Sequence, residues 1–173
     1  MTQGRKPDPG SIVVGVDGSS TAFDALTWAY RQAVQTGQRL HLVTTYETDA
    51  PSSPYSGSYA SSPDRPTAAR VNEAESRWRE ERHAVAQKRV ERMLQEALAA
   101  VRSAVDGEPE VTKEIIAGAR AAEILIERSR TAGLLVVGSR GLGGFRGLLL
   151  GSVSQQCVQH AGCPVVVVRR QDR

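Results

Sequence analysis

The sequence predicts a doubly wound α/β domain, a single parallel sheet with helices on both faces. Three observations carry that expectation. Five short aliphatic runs alternate with segments of helical period, beginning at Ile12–Val14 and ending at Val165–Val168. The first, fourth and fifth runs are almost purely aliphatic, the pattern of strands covered on both faces. The opening reads strand, helix, strand, and a right-handed crossover makes such strands parallel.

The elements follow in order. Residues 1–10 are polar and read as a disordered N-terminal tail, ahead of one domain over residues 11–170. Ile12-Val13-Val14 is a β-branched strand ended by Asp17-Gly18-Ser19. Ala22, Ala25, Leu26, Ala29, Tyr30, Ala33 and Val34 recur at helical spacing, with Thr21 and Asp24 as an N-terminal capping arrangement and Gly37 as the stop. Leu40 to Tyr46 is a second strand. Residues 48–70 form an insert rich in proline and serine, long for a connection inside a compact domain. A helix follows from about Asn72 to Val105, its stripe running from Trp78 and Val85 through Val90, Leu94, Leu98 and Val101. Val111 to Ile116 is a more polar strand, as an edge strand would be. Ala121 to Arg130 is a short helix, Leu134 to Val137 the fourth strand, Ser152 to His160 the last helix and Val165 to Val168 the fifth strand.

Composition sets bounds on function. The 173 residues are 40% hydrophobic and 24% charged, an ordinary globular balance, and there is no internal repeat. A net charge of +3 is spread along helix faces, which argues against dedicated nucleic-acid binding. Cys157 and Cys163 have no metal-ligand spacing around them and read as reduced packing residues. No apolar stretch reaches bilayer length and the polar start lacks a secretory segment, so the expected location is the cytoplasm, with no membrane partner.

The chemistry concentrates at one loop. Six glycines lie between Gly138 and Gly151, where an apolar strand runs into a helix start. Glycine lets oxygens approach the backbone, and a helix N-terminus presents unpaired N–H groups, so the arrangement suits a polyphosphate. The alternative is a tight connection that needs glycine for its turn. No lysine of the P-loop pattern is present, and the dinucleotide fingerprint is absent. Ser152, with Gln155 three residues on, either caps the last helix or yields that place to a phosphate oxygen. Arg140 and Arg146 either contact phosphates or are simply solvated. Asp17 either forms a turn with Gly18 or accepts from sugar hydroxyls, adenine or hydrated Mg²⁺. In a doubly wound sheet the tails of strands 1, 2 and 4 meet at the carboxyl edge, which places this loop where ligands bind. His41, His83 and His160 form no metal pattern, and no residue pair has nucleophile-and-base spacing.

These residues resemble the universal stress protein family. Gly138-x-x-Gly141, nine residues, then Gly151-Ser152 is similar to that family's nucleotide motif, and Ile12 to Ser19 and Gly162 to Val168 are similar to its first and last strands. The likeness runs from about Ser11 to Arg169. It implies a five-stranded sheet of order 3-2-1-4-5 with ATP, accompanied by Mg²⁺, at the switch point. It also implies that Gly15, Val16, Asp17 and Thr45 meet the adenosine. Ribose and phosphates then fall to Gly138, Ser139, Arg140, Gly141, Leu142, Gly143 and Gly144 and to Gly151, Ser152, Val153 and Ser154. Thr44-Thr45-Tyr46 departs from the histidine and valines more frequent in the family. The resemblance implies a homodimer paired through residues 165–168, and an apolar edge there needs covering in any case.

The expected function is therefore an ATP-binding regulator of the stress response that acts on a protein partner. Two alternatives of other classes are a slow ATPase or phosphotransferase, and a dimeric scaffold that does not depend on nucleotide.

Overall fold

A computed structural model describes residues 7–47, 68–118, 120–143 and 149–170. Its elements are β1 (Ile12–Gly15), α1 (Ser20–Thr36), β2 (Leu40–Tyr46), α2 (Ala68–Ala104), β3 (Val111–Ala117), α3 (Ala121–Ser129), β4 (Leu134–Gly138), α4 (Ser152–His160) and β5 (Val165–Val168). The five strands form one parallel sheet of order β3-β2-β1-β4-β5.

The chain steps outward from β1 to β2 to β3, then returns past β1 to β4 and β5. With one crossover hand, opposite directions of travel put the connecting helices on opposite faces. Thus α1 and α2 cover one face, packing on Ile12, Val14, Leu40, Leu42 and Val136. On the other face α3 and α4 pack on Val13, Val43, Leu135 and Val137 through Leu125 and Cys157. Register sets this division: Val14 pairs with both Leu42 and Val136, so three fully buried side chains form one row. On the opposite face, burial of Cys157 pushes its thiol up to about 11, as befits a packing residue and not a nucleophile.

Helix caps differ from the sequence expectation in two places. Ser19, not Thr21, caps α1, accepting from the Ala22 N–H at 3.2 Å. Thr21 lies inside the first turn, where its hydroxyl donates to the Arg140 carbonyl. Gly151, not Ser152, is the N-cap of α4, and Ser152 is the first helical residue. Gly37 ends α1 at φ 69°, as expected.

The helix α2 starts at Ala68, ahead of the expected Asn72, and runs 37 residues, about 55 Å at 1.5 Å per residue. Its second half supplies Val90, Met93, Leu94, Ala97, Leu98 and Val101 to the core, and Val105 follows just beyond its end. The expected stripe does not extend to Val85, which is 68% exposed. Residues 48–67 of the insert lie outside the described residues. Of residues 1–10, expected as a tail, Pro7–Gly10 are held in place. The Gly10 N–H donates to the Thr131 carbonyl, and Asp8 pairs with Arg39 at 2.7 Å.

Candidate functional site

β1 and β4 are neighbours that the chain leaves in opposite directions, so their carboxyl ends diverge and leave a crevice. A cleft of about 520 Å³ opens there. It is lined by Gly15, Val16 and Asp17 after β1, by Thr45 on β2, by Gly138, Arg140, Gly141, Leu142 and Gly143 after β4, and by Gly151, Ser152, Val153 and Ser154 at the start of α4. Of the expected site residues that are described, only Ser139 does not line it. Ser139 is buried beneath the loop, while Gly144, like Arg146, lies outside the described residues.

Sequence reasoning missed the apolar wall. Ala22 on α1, Val43 on β2 and Ala121 and Leu125 on α3 also line the cleft. Ala121 and Leu125 are four residues apart, and α3 begins at the carboxyl end of β3, so the spacing alone could have shown a helix face turned to this edge. Thr44 lines the cleft as well. It is buried, and its hydroxyl has no hydrogen-bond partner among the described residues.

The glycines divide into two kinds. A Cβ on Gly138 would lie 2.7 Å from the Thr21 carbonyl carbon, and one on Gly141 would lie 2.5 Å from Oδ2 of Asp17. Gly138 is required by the fold, because its clash is with backbone, whereas at Gly141 the clash is with the end of the Asp17 side chain, which an added Cβ would displace. A Cβ on Gly151 would meet nothing nearer than 3.4 Å, its φ of −76° suits any residue, and a Cβ on Gly143 would have open space. The packing does not demand glycine at these two positions.

Polar groups hold the loop in shape. Asp17 Oδ1 accepts from the Ser19 N–H at 2.9 Å, and its Oδ2 accepts from the Leu142 N–H at 3.1 Å. The turn role and a role at the loop are thus filled by one carboxylate. The Ser139 carbonyl accepts from the Gly151 N–H at 2.7 Å and from the Ser154 hydroxyl at 2.9 Å. Among the described residues the N–H groups of Ser152, Val153 and Ser154 have no acceptor, and no side chain caps α4. Arg140 lines the cleft and forms no ion pair among the described residues. An apolar slot, a free cation and unpaired backbone donors together suit a flat heterocycle joined to an anion.

A second cluster lies at the other end of the sheet. His41 is 1% exposed; its Nε2 lies 3.2 Å from Glu114 Oε2 and its Nδ1 lies 2.7 Å from Thr112 Oγ1. Arg128 grips Glu114 with two bonds of 2.8 Å. Burial pulls the His41 pKa below its ordinary value, although Glu114 opposes this. Burial opposes ionisation of Glu114, but hydrogen bonds from Arg128 and His41 outweigh it and hold the carboxyl below the usual range. The cluster anchors α3 to β2 and β3.

A parallel sheet of this order, with a glycine-lined cleft at its switch point, defines the class of open α/β ligand-binding domains. Within that class the chain belongs to the universal stress protein family, whose model matches residues 10–169. It is 32% identical over 169 residues to universal stress protein Rv2624c of Mycobacterium tuberculosis, covering 98% of this chain and 52% of that protein. It is 35% identical over 165 residues to universal stress protein Rv2623 of the same organism, covering 93% and 48%. The chain therefore spans about half the length of these curated relatives.

Among solved structures, the universal stress protein UspA from Lactobacillus plantarum superposes with a TM-score of 0.62 at 21% identity, covering 94% of this chain and 99% of that one. A universal stress protein in complex with cAMP gives 0.60 at 22% identity, covering 94% and 98%. One from Archaeoglobus fulgidus in complex with dAMP gives 0.52 at 18%, covering 92% and 97%. At these identities the likeness shows the fold. Among the described residues no helix is long and apolar enough to cross a membrane.

Proposed function

We propose that this chain is an ATP-binding universal stress protein, a nucleotide-sensing regulator that acts in the cytoplasm on a protein partner. Gly151 carries the reading. The fold does not need glycine there, yet the residue stands before the unpaired N–H groups of α4, where a side chain would obstruct an approaching phosphate. The apolar wall of Val16, Val43 and Leu125 suits adenine, and the Thr44 hydroxyl is a buried polar group that still lacks a partner. Structural relatives in complex with cAMP and dAMP support an adenine nucleotide as the ligand class.

Asp17 is the one carboxylate lining the described cleft, and both its oxygens already accept backbone N–H groups. Mg²⁺ would thus arrive with the nucleotide, held chiefly by its phosphates. Phosphoryl transfer needs a group that positions the nucleophile, and the cleft's described residues offer none to spare. That favours sensing over turnover. The homodimer belongs to the same reading: β5 is an edge strand whose four valines are only half-buried, and a second copy would cover them.

Isothermal titration with Mg-ATP tests the proposal on the natural chain and on Gly151→Val. Saturable binding weakened at least tenfold by the substitution, roughly 1.4 kcal/mol, is expected with thermal unfolding little changed. No saturable binding by the natural chain at millimolar ATP overturns it. Equal binding by both forms overturns the role of Gly151.

A further inference from the structure

We propose that Asp17 is a selectivity gate, excluding bare polyphosphates from the glycine loop while admitting phosphates that carry a ribose. The inference rests on the nucleotide reading of the cleft and specifies how that cleft chooses.

The geometry is a carboxylate seated on the loop's own anion-binding group. Oδ2 of Asp17 accepts from the Leu142 N–H at 3.1 Å, while Oδ1 is fixed by the Ser19 N–H at 2.9 Å. The second bond matters because it stops the side chain from turning away freely. Gly141 completes the device, since a Cβ there would stand 2.5 Å from Oδ2 and push the carboxylate off. Leu142 lies four residues beyond β4 and lines the cleft, so its N–H is one of the donors that a phosphate would seek.

Two kinds of ligand meet this arrangement differently. An inorganic polyphosphate must displace the carboxylate from Leu142 and then sit beside it, two anions in one partly enclosed cleft. It brings no sugar hydroxyl to donate to the displaced oxygen. A nucleotide brings the same phosphates together with the 2′- and 3′-hydroxyls of its ribose. Those hydroxyls donate to Asp17 as a phosphate oxygen takes the Leu142 N–H, so every group keeps a partner. Arg140 attracts both ligands alike and cannot tell them apart. Discrimination therefore falls to the one negative charge lining the described cleft.

Titration calorimetry with ATP, 2′,3′-dideoxy-ATP and tripolyphosphate tests the gate on the natural chain and on Asp17→Asn. Asparagine keeps an oxygen for the Ser19 N–H but puts an amide nitrogen, a donor, where Oδ2 was. The natural chain should bind ATP at least about tenfold more tightly than dideoxy-ATP, and tripolyphosphate more weakly still. Asp17→Asn should bind tripolyphosphate at least about tenfold more tightly than the natural chain does and lose most of the preference for ATP over dideoxy-ATP. The dideoxy comparison requires no variant, so it stands even where Asp17→Asn folds poorly.

Equal binding of ATP and dideoxy-ATP by the natural chain overturns the gate and leaves the nucleotide reading intact. So does tripolyphosphate binding that Asp17→Asn does not improve. If the natural chain binds no ATP but Asp17→Asn gains tripolyphosphate, the nucleotide reading falls and anion exclusion by Asp17 stands. If neither occurs, both are overturned.

Discussion

The Ser154 hydroxyl donates to the Ser139 carbonyl at 2.9 Å, which ties the first turn of α4 to the end of β4 beneath the glycine loop. Both residues sit among the expected ligand contacts, yet this bond is internal. Replacing Ser154 with alanine should cost about 1 kcal/mol of stability. The helix start would loosen with it, so ATP affinity should fall as well. Urea unfolding and ligand titration on one preparation would check both, and unchanged affinity would show that the tie serves only the fold.

Gly138 and Gly151 should answer alanine in opposite ways. At Gly138 the new methyl meets the backbone of Thr21 at 2.7 Å, so α1 or β4 must shift, at a cost of about 2–3 kcal/mol. At Gly151 the nearest atom is 3.4 Å away, and the change should cost no more than about 1 kcal/mol, the preference of an N-cap for glycine over alanine. Denaturant midpoints for the two variants decide the matter, and equal losses would refute the division of the glycines.

Acid should weaken the fold in two stages through the His41 cluster. The folded pKa of His41 lies below its ordinary 6.5, so the unfolded chain binds this proton first. Its contribution is complete above about pH 6.5 and is lost as pH falls towards the folded value. Glu114, held below its ordinary 4.5, adds a contribution present above that pH and lost below it. Thr112, Arg128 and, more distantly, Asp8 are the other groups acting on the pair. Unfolding free energies measured from pH 8 to pH 4 should decline on acidification. A His41→Gln variant should lack the upper stage.

Within the same cluster, Glu114→Gln should cost about 2–4 kcal/mol at neutral pH. It removes the charge that Arg128 grips with two bonds, and the Arg128 side chain is only 12% exposed. Pairing with Glu127 at 3.0 Å moderates the loss. Chemical denaturation of the variant checks the figure.

Thr44→Val should stabilise the chain by about 1 kcal/mol, since it replaces an unpartnered buried hydroxyl with a methyl of the same shape. A rise of about 2–4 °C in the thermal midpoint would match that gain. No rise would mean that the hydroxyl finds a partner.

Much of this was legible in the sequence because strands buried on both faces announce themselves. Val136 and Val137 could not face water on either side, and Gly37 marked the end of α1. The site emerged because glycines cluster where a strand hands over to a helix. What escaped depended on distance in the chain. His41 lies opposite Thr112 only through the register of β2 on β3, so no spacing could show that Glu114 is buried against it. The capping error at Thr21 arose because Ser19 and Thr21 offer similar hydroxyls, and the fold assigns one to α1 and the other to the Arg140 carbonyl. Leu125 packs in the core, and that it also walls the cleft follows from where α3 begins.

The bond from Asp17 to Leu142 joins positions 125 residues apart, and β4 must already lie beside β1 before it can form. Contacts of such long range are late events in folding. A small molecule held between these two segments recognises only the completed sheet and gives no help to partly folded chains. Occupancy would consequently slow unfolding far more than it speeds folding, lengthening the lifetime of molecules already made.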